Sequence, residues 1–369
     1  MNIVLVVNSI QAGGAERVAA TLVNAWASRG DVATLVVADS MMRESFYPIH
    51  RSVDLLYLRD RPITRGRRGF GDLRNILRLR GIVRRAGATH VVSFISHVNL
   101  ATLVACIGLG VPTFVSERTY PPLVPLGIGW STLRRLLYPL AFKVVMQTNQ
   151  GLDWLRKAIP HATGVVIQNP VEYPMRQKPA AVFLNELVGD ECAIILGVGR
   201  LDEGKQFQQL ITAFSRIAPH YPLARLIIFG EGPDRLSLES LVKQYQLIGS
   251  VFLPGQTEDL SKWYTRASLY VLTSRFEGFP NSLAEALTHG CPAISYDCAT
   301  GPKDIIRDGV DGMLVSPVGD IDALTVAIEF LLKNENLRTR MAERAIEARE
   351  RFSVQRALYQ WDRIFGESP

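Results

Sequence analysis

A chain of 369 residues exceeds one ordinary compact domain and suits two of roughly 180 residues each. Hydrophobic residues make up 47% and charged residues 21%, which excludes disordered and fibrous classes. The net charge of +6 is uneven: residues 1–175 carry +10 and residues 176–369 carry −4, with ten Arg against two Asp between 59 and 85. A positive first half attracts phosphates, so anionic lipid, nucleic acid and phosphorylated substrates are the candidate partners. Apolar stretches fall short of the ~18–20 residues a spanning helix needs. Met1-Asn2 runs straight into IVLVV, so no export leader is expected. Cys106, Cys192, Cys291 and Cys298 show no C-x-x-C pairing, which points to reduced thiols in the cytoplasm.

In chain order, the strands expected in the first half are 3–10, 33–39, 53–58, 89–94, 112–117, 143–148 and 164–169, with helical patterns between most of them. A polar, Pro-containing stretch at 172–190 follows, and the alternation restarts. Strands are expected at 193–199, 224–230, 251–255, 269–273 and 292–296, with helices at 205–217, 234–245, 258–265 and 281–289. Helices close the chain at 320–333, 335–350 and 354–364. Two βα alternations predict an α/β protein with two doubly wound parallel sheets and a cleft between them. The expected divisions are 1–172, 173–350 and a terminal helix, 351–369, packing back on the first domain.

Ligands of open α/β sheets sit beyond the carboxyl ends of strands, where helix N-termini offer unpaired N–H groups. Four such junctions carry unusual residues. In NSIQAGGAERV, Gly13-Gly14 precedes a helix and suits close approach of backbone to a phosphate or sugar, or simply a tight βα turn. In GVGRLDEGKQF, Arg200 leaves a strand and Lys205 opens a helix; a fork and a point charge suit two adjacent phosphates. The same stretch mimics a P-loop but has Gln206 where Ser or Thr should hold magnesium, and Asp202-Glu203 would repel phosphate, which excludes a kinase or ATPase. In SRFEGFPNSLAEALTHG, Glu277 lies in the loop and Glu285 eight residues on, two turns into the next helix. Asn281 suits an N-cap there, which would leave the amides of Ser282 and Leu283 for an anion. Carboxylates on either side of a bound phosphate match the layout of a nucleotide sugar. In PTFVSERTYPP, Glu117-Arg118 ends a strand, facing the cleft or forming a plain ion pair.

Asp320-Ile321-Asp322 has the spacing of a metal-binding D-x-D, but it opens an apolar helical run, so N-capping explains it better. The six His are scattered without ligand spacing, and no metal site is expected.

With Gly230-Glu231-Gly232-Pro233 added, these motifs make the chain resemble glycosyltransferase family 4 over nearly its whole length. These are retaining enzymes of GT-B fold, with two Rossmann-like domains. The GGAERV and SER runs look like bacterial enzymes that build surface polysaccharides or lipid-linked oligosaccharides. The resemblance implies that the second domain binds a nucleotide-diphospho-sugar, with UDP favoured and GDP an option, and that the first receives the acceptor. Arg200 and Lys205 would neutralise the leaving diphosphate. Glu285 would bind the ribose, and Glu277 with the backbone of Gly278 and Phe279 would hold the transferred hexose or N-acetylhexosamine. Asn281, Ser282, Leu283 and Gly230 would line the donor, and Gly13 and Gly14 would approach it from the first domain. The family often has His where Arg118 stands, so Arg118 would supply charge rather than act as a base. No cofactor and no metal are implied, because two fixed cations replace the metal.

The stretch GFGDLRNILRLRGIVRRAG, residues 69–87, sets apolar positions on one helical face flanked by Arg74, Arg78, Arg80, Arg84 and Arg85. That suits an anionic membrane surface or a polyprenyl-pyrophosphate-linked glycan, and WSTLRRLLYPLAF at 130–142 is a second candidate. The expected location is the cytoplasm, peripheral on the inner face of the cell membrane. A nucleic-acid partner is not expected, since the Arg lack interleaved aromatic residues and no recognition motif appears. The rival readings are a nucleotide-sugar epimerase of the same architecture and a non-catalytic basic membrane- or nucleic-acid-binding protein.

Overall fold

The computed structural model describes residues 1–38, 44–58, 73–124, 126–175, 188–257 and 259–368. The chain folds as two compact units, one of Met1–Pro170 with Val354–Pro369 and one of Val171–Ser353.

In the first unit the strands are β1 (Asn2–Val7), β2 (Val32–Val37), β3 (Asp54–Tyr57), β4 (His90–Phe94), β5 (Thr113–Ser116), β6 (Lys143–Met146) and β7 (Gly164–Val166). They form one parallel sheet in the order β3-β2-β1-β4-β5-β6-β7. Runs such as IVLVV are apolar throughout rather than alternating, because helices cover both faces. On one face lies α1 (Gly14–Ser28), which buries Val18, Leu22, Val23 and Trp26 at helical spacing. The last helix, α14 (Val354–Gly366), joins it there: Trp361 meets Trp26 edge-on at 6.1 Å. Arg29 also grips Asp362 through two bonds of 2.6 and 2.8 Å. On the other face lie α2 (Leu73–Arg85), α3 (Ser96–Cys106), α4 (Ile128–Leu137) and α5 (Asn149–Ala158).

In the second unit β8 (Ala193–Val198), β9 (Ala224–Phe229), β10 (Val251–Gly255), β11 (Leu269–Leu272), β12 (Ala293–Tyr296) and β13 (Gly312–Val315) make a parallel sheet ordered β10-β9-β8-β11-β12-β13. One face packs against α6 (Phe207–Ile217), α7 (Arg235–Gln244) and α11 (Ile321–Lys333). The other packs against α8 (Ser261–Arg266), α9 (Asn281–Thr288) and α13 (Ala348–Arg351); α12 (Glu335–Ala345) gives Met341 to the core on the first face and Ala345 to that on the second, and α10 (Pro302–Ile305) is a single turn before β13. Strand β13 adds to those expected from sequence; its GMLV is short and opens on Gly312. The single helix expected over 335–350 divides into α12 and α13.

Each sheet reverses its strand order once, between β1 and β4 in the first unit and between β8 and β11 in the second. A doubly wound sheet opens a crevice at the carboxyl ends of the strands that flank such a reversal. The junctions singled out from sequence at Gly13, Arg200 and Glu277 stand at these two places.

Candidate active site

In the second unit two loops meet beyond β8 and β11, at the reversal point. The first runs from Gly199 to Gln206 and is shaped by glycines behind it. Gly230 has φ +148°, and a Cβ there would lie 1.7 Å from the Gly199 carbonyl oxygen, so only glycine lets the two loops touch. The Leu201 amide then donates to the Glu231 carbonyl oxygen at 3.0 Å. Gly230 thus shapes the Arg200 loop from behind. The second loop, Thr273 to Pro280, is fastened to the first: Thr273 Oγ1 donates to the Lys205 carbonyl oxygen at 2.8 Å and the Arg275 amide to that of Gly204 at 2.9 Å.

This fastening brings two sequence-predicted residues together. Lys205 Nζ lies 2.5 Å from Glu277 Oε1, and the Ser274 hydroxyl donates to the same oxygen at 2.6 Å. The Glu277 side chain is 11% exposed and Lys205 23%, so the pair is shielded yet reachable. Thr300 donates through its hydroxyl to the Glu277 carbonyl oxygen and holds the loop from β12's side. Arg200 is 71% exposed and pairs through Nε with Asp202 at 3.4 Å. Phe279 turns its ring into the core, edge-on to Phe352 at 5.5 Å, which leaves only its backbone and that of Gly278 for a ligand.

Glu285 lies on α9 one turn in, not two, because the helix begins at Asn281. Its carboxylate is buried and Oε2 accepts from the Tyr264 hydroxyl at 3.1 Å. The Tyr270 hydroxyl meets Ser282 Oγ at 2.7 Å; burial, with Glu277 and Glu285 nearby, raises its pKa, so it stays protonated. Tyr264, Tyr270, Ser274 and Thr300 were missed from sequence. Only the hydroxyl-bearing end of β11, TS before RFEG, carried a signal there.

The structure corrects the helix start. Asn281 is the first helical residue and Pro280 occupies the cap. The Pro280 carbonyl oxygen accepts from the amides of Leu283 at 3.1 Å and Ala284 at 3.3 Å. Leu283 therefore offers no amide to an anion, and the amides ahead of the helix's own ladder are those of Asn281 and Ser282.

In the first unit Gly13 caps α1 in extended backbone, φ −177°, and Gly14 is the helix's first residue. The Tyr47 hydroxyl spans Gly13, donating to its carbonyl oxygen at 3.1 Å and accepting from its amide at 3.3 Å. Glu117 and Arg118 do not pair with each other. Glu117 sits beside Arg134, 3.7 Å from Nη1, and Arg118 Nη1 donates to Asn169 Oδ1 at 2.6 Å.

Asp320 accepts from the Ala323 amide at 2.9 Å and caps α11, while Asp322 pairs with Arg216. The D-x-D spacing is a helix cap. Among the described residues no cluster of three His, Cys, Asp or Glu could hold a metal ion.

Two family models cover most of the chain: Glycosyltransferase Family 4 matches residues 12–173 and Glycosyl transferases group 1 matches residues 185–348. The chain belongs to glycosyltransferase family 4. It is 26% identical, over 100% of its own length and 99% of the relative's, to a Campylobacter jejuni enzyme. That relative is a GalNAc-alpha-(1->4)-GalNAc-alpha-(1->3)-diNAcBac-PP-undecaprenol alpha-1,4-N-acetyl-D-galactosaminyltransferase. A Streptomyces coelicolor exopolysaccharide phosphotransferase is 33% identical over 69% of this chain, which spans only 26% of that longer protein. The crystal structure of Anabaena HepE in complex with UDP aligns over 100% of both chains with a TM-score of 0.78 at 15% identity. The glycosyltransferase therefore has the GT-B fold of two Rossmann-like units.

The basic helix of this glycosyltransferase is only partly available to a surface. Residues 59–72 lie outside the described residues. In α2 the positions Leu79, Ile82 and Val83 are buried as core, which leaves Leu73 and Leu77 as the exposed apolar pair. Arg78 Nη1 donates to the Leu58 carbonyl oxygen at 2.9 Å, and Arg80 Nη1 to those of Ala105 at 2.9 Å and Ile107 at 2.6 Å. Arg84 and Arg85 are exposed at the helix end, and Arg74 at its start. In the second candidate stretch Arg134 is buried, while Leu136 and Leu140 face outward, as does Ile128 just ahead of it. Among the described residues no helix is long and apolar enough to cross a membrane.

Proposed function

We propose that the enzyme moves a hexose or N-acetylhexosamine, with retention, from a nucleotide-diphospho-sugar to a glycan acceptor, lipid-linked, in surface polysaccharide, O-antigen or glycoprotein-glycan assembly. A UDP-sugar is the favoured donor. The observation that carries this reading is the Lys205–Glu277 pair at the strand-order reversal, with the buried Glu285 on the helix that follows. A diphosphate entering there draws the Lys205 ammonium away from Glu277 and frees the carboxylate to accept sugar hydroxyls. Glu285 accepts the ribose hydroxyls, its second oxygen steadied by Tyr264. Arg200 swings from Asp202 onto the phosphates, an exchange its exposure permits. As the glycosidic bond breaks, charge builds on the leaving phosphate, and the two cations stabilise it where a metal ion otherwise would. Same-face attack, with the leaving phosphate taking the acceptor's proton, gives retention.

The undecaprenol-linked acceptor named for the Campylobacter relative and the UDP in the HepE structure support this choice of substrates. Exposed Leu73 and Leu77 beside Arg74, Arg84 and Arg85 support a peripheral place on the inner face of the membrane. Steady-state transfer tests the cation roles. Arg200→Ala and Lys205→Ala should each lower turnover by roughly 10²–10³-fold, the loss seen on removing one stabiliser of developing charge. Chelator should leave activity intact. Near-normal turnover in both variants contradicts the assignment.

A further inference from the structure

The sheet of the first unit has a ligand end of its own. Strands β5, β6 and β7 are neighbours, and just beyond their carboxyl ends stand Glu117-Arg118, Gln147 and Asn169. Glu117 is occupied from three sides: it accepts from Ser96 Oγ at 2.7 Å and the Tyr138 hydroxyl at 2.5 Å, and faces Arg134. Arg118 turns away from it. Its guanidinium carbon stacks 3.4 Å from the centroid of the Phe94 ring, and Nη1 is held by the neutral Asn169 amide, whose oxygen also accepts from Gln147 Nε2 at 2.6 Å. Among the described residues no carboxylate lies within ion-pair distance of Arg118, its Nε is buried without a partner, and so is Gln147 Oε1.

A shielded cation without a counter-charge is costly unless a ligand supplies one. Burial lowers the Arg118 pKa to about 9, which still leaves the group cationic at neutral pH. A guanidinium fixed on an aromatic face is set up to receive a planar, two-pronged oxyanion. The neighbouring backbone is strained as well: Ile95, between Phe94 and α3, has φ +76°, a conformation a β-branched residue rarely adopts. Such strain gathers at ligand sites.

We infer that Arg118, with Asn169 and Gln147, forms an oxyanion site, and that the acceptor carries the oxyanion as a sugar carboxylate or a phosphate. The inference rests on the transferase reading and adds to it the chemical class of the acceptor.

Calorimetric titration of the protein saturated with UDP tests it, with inorganic pyrophosphate, glucuronate and glucose as probes. One of the two anions should bind and glucose should not; which anion binds separates a phosphate-bearing acceptor from a uronate-bearing one. Arg118→Gln should weaken that anion at least 10-fold while changing UDP affinity less than twofold. Asn169→Asp keeps Arg118 and sets a carboxylate against it, so it should abolish anion binding in a folded protein and decides the matter should Arg118→Gln not fold. The inference is overturned if neither anion binds the wild type, if both variants bind it as the wild type does, or if Arg118→Gln weakens UDP equally. Failure of UDP to bind would instead count against the donor reading, and the same anion titrations without UDP would still judge Arg118.

Discussion

Lys205 and Glu277 neutralise each other across 2.5 Å while the Ser274 hydroxyl holds the carboxylate in place. The pair therefore links the proposed diphosphate and sugar subsites, and the two glutamates should behave differently when neutralised. Glu277→Gln releases Lys205 from its counter-charge, so free UDP should bind as well as in wild type or severalfold tighter, while use of the intact donor falls. Glu285→Gln loses charge-assisted bonds to the ribose, worth about 1.5–3 kcal/mol, and should weaken UDP by roughly 10–100-fold. Tyr264→Phe, which removes only the hydroxyl steadying Glu285 Oε2, should cost about 1 kcal/mol. Calorimetry with UDP and then with the intact donor separates these outcomes. Equal loss of UDP affinity in both glutamate variants contradicts the division of roles.

At the scale of elements, the site depends on two loops lying against each other, and Gly230 sets that contact. Gly230→Ala places a methyl group 1.7 Å from the Gly199 carbonyl oxygen, in backbone that cannot yield without moving Arg200. Urea unfolding should show a loss above about 2 kcal/mol, the range of a strained special φ, and UDP binding should fall with it. An unchanged midpoint and affinity would mean the loops do not need this contact. The strands other than β13, and their junctions, were legible because parallel strands under helices on both sides are largely uninterrupted apolar runs rich in Val, Ile and Leu, bounded by Gly, Ser and Asn. Asp320 was legible as a cap because an apolar helical period follows it. What composition hides is where a hydrogen bond goes. Nothing in FPNSL says that the Pro280 carbonyl oxygen takes the Leu283 amide, nor does SER say that Glu117 and Arg118 part toward Arg134 and Asn169. The arginines of α2 read as a free basic face, yet Arg78 and Arg80 reach backbone carbonyls brought near by folding. The strain at Ile95 has no sequence mark, since a β-branched residue there predicts ordinary strand backbone.

For the whole molecule, the charge asymmetry follows the two units: the first half is positive and the second negative. Anionic donor binding in the second unit thus relies on a few placed cations against an unfavourable overall field, which makes it sensitive to single charges. The claim that its strand-order reversal receives a nucleotide-diphospho-sugar is tested most directly by thermal melting against a panel of UDP-, GDP-, dTDP- and ADP-sugars. A ligand at 100 times its Kd adds about 2.7 kcal/mol to the state that binds it, or a rise of several degrees for a domain of ~180 residues. One nucleotide class, UDP by this account, should raise the midpoint in the wild type, and the rise should vanish in Lys205→Ala. No shift with any donor, or a shift that survives in Lys205→Ala at full size, would contradict it.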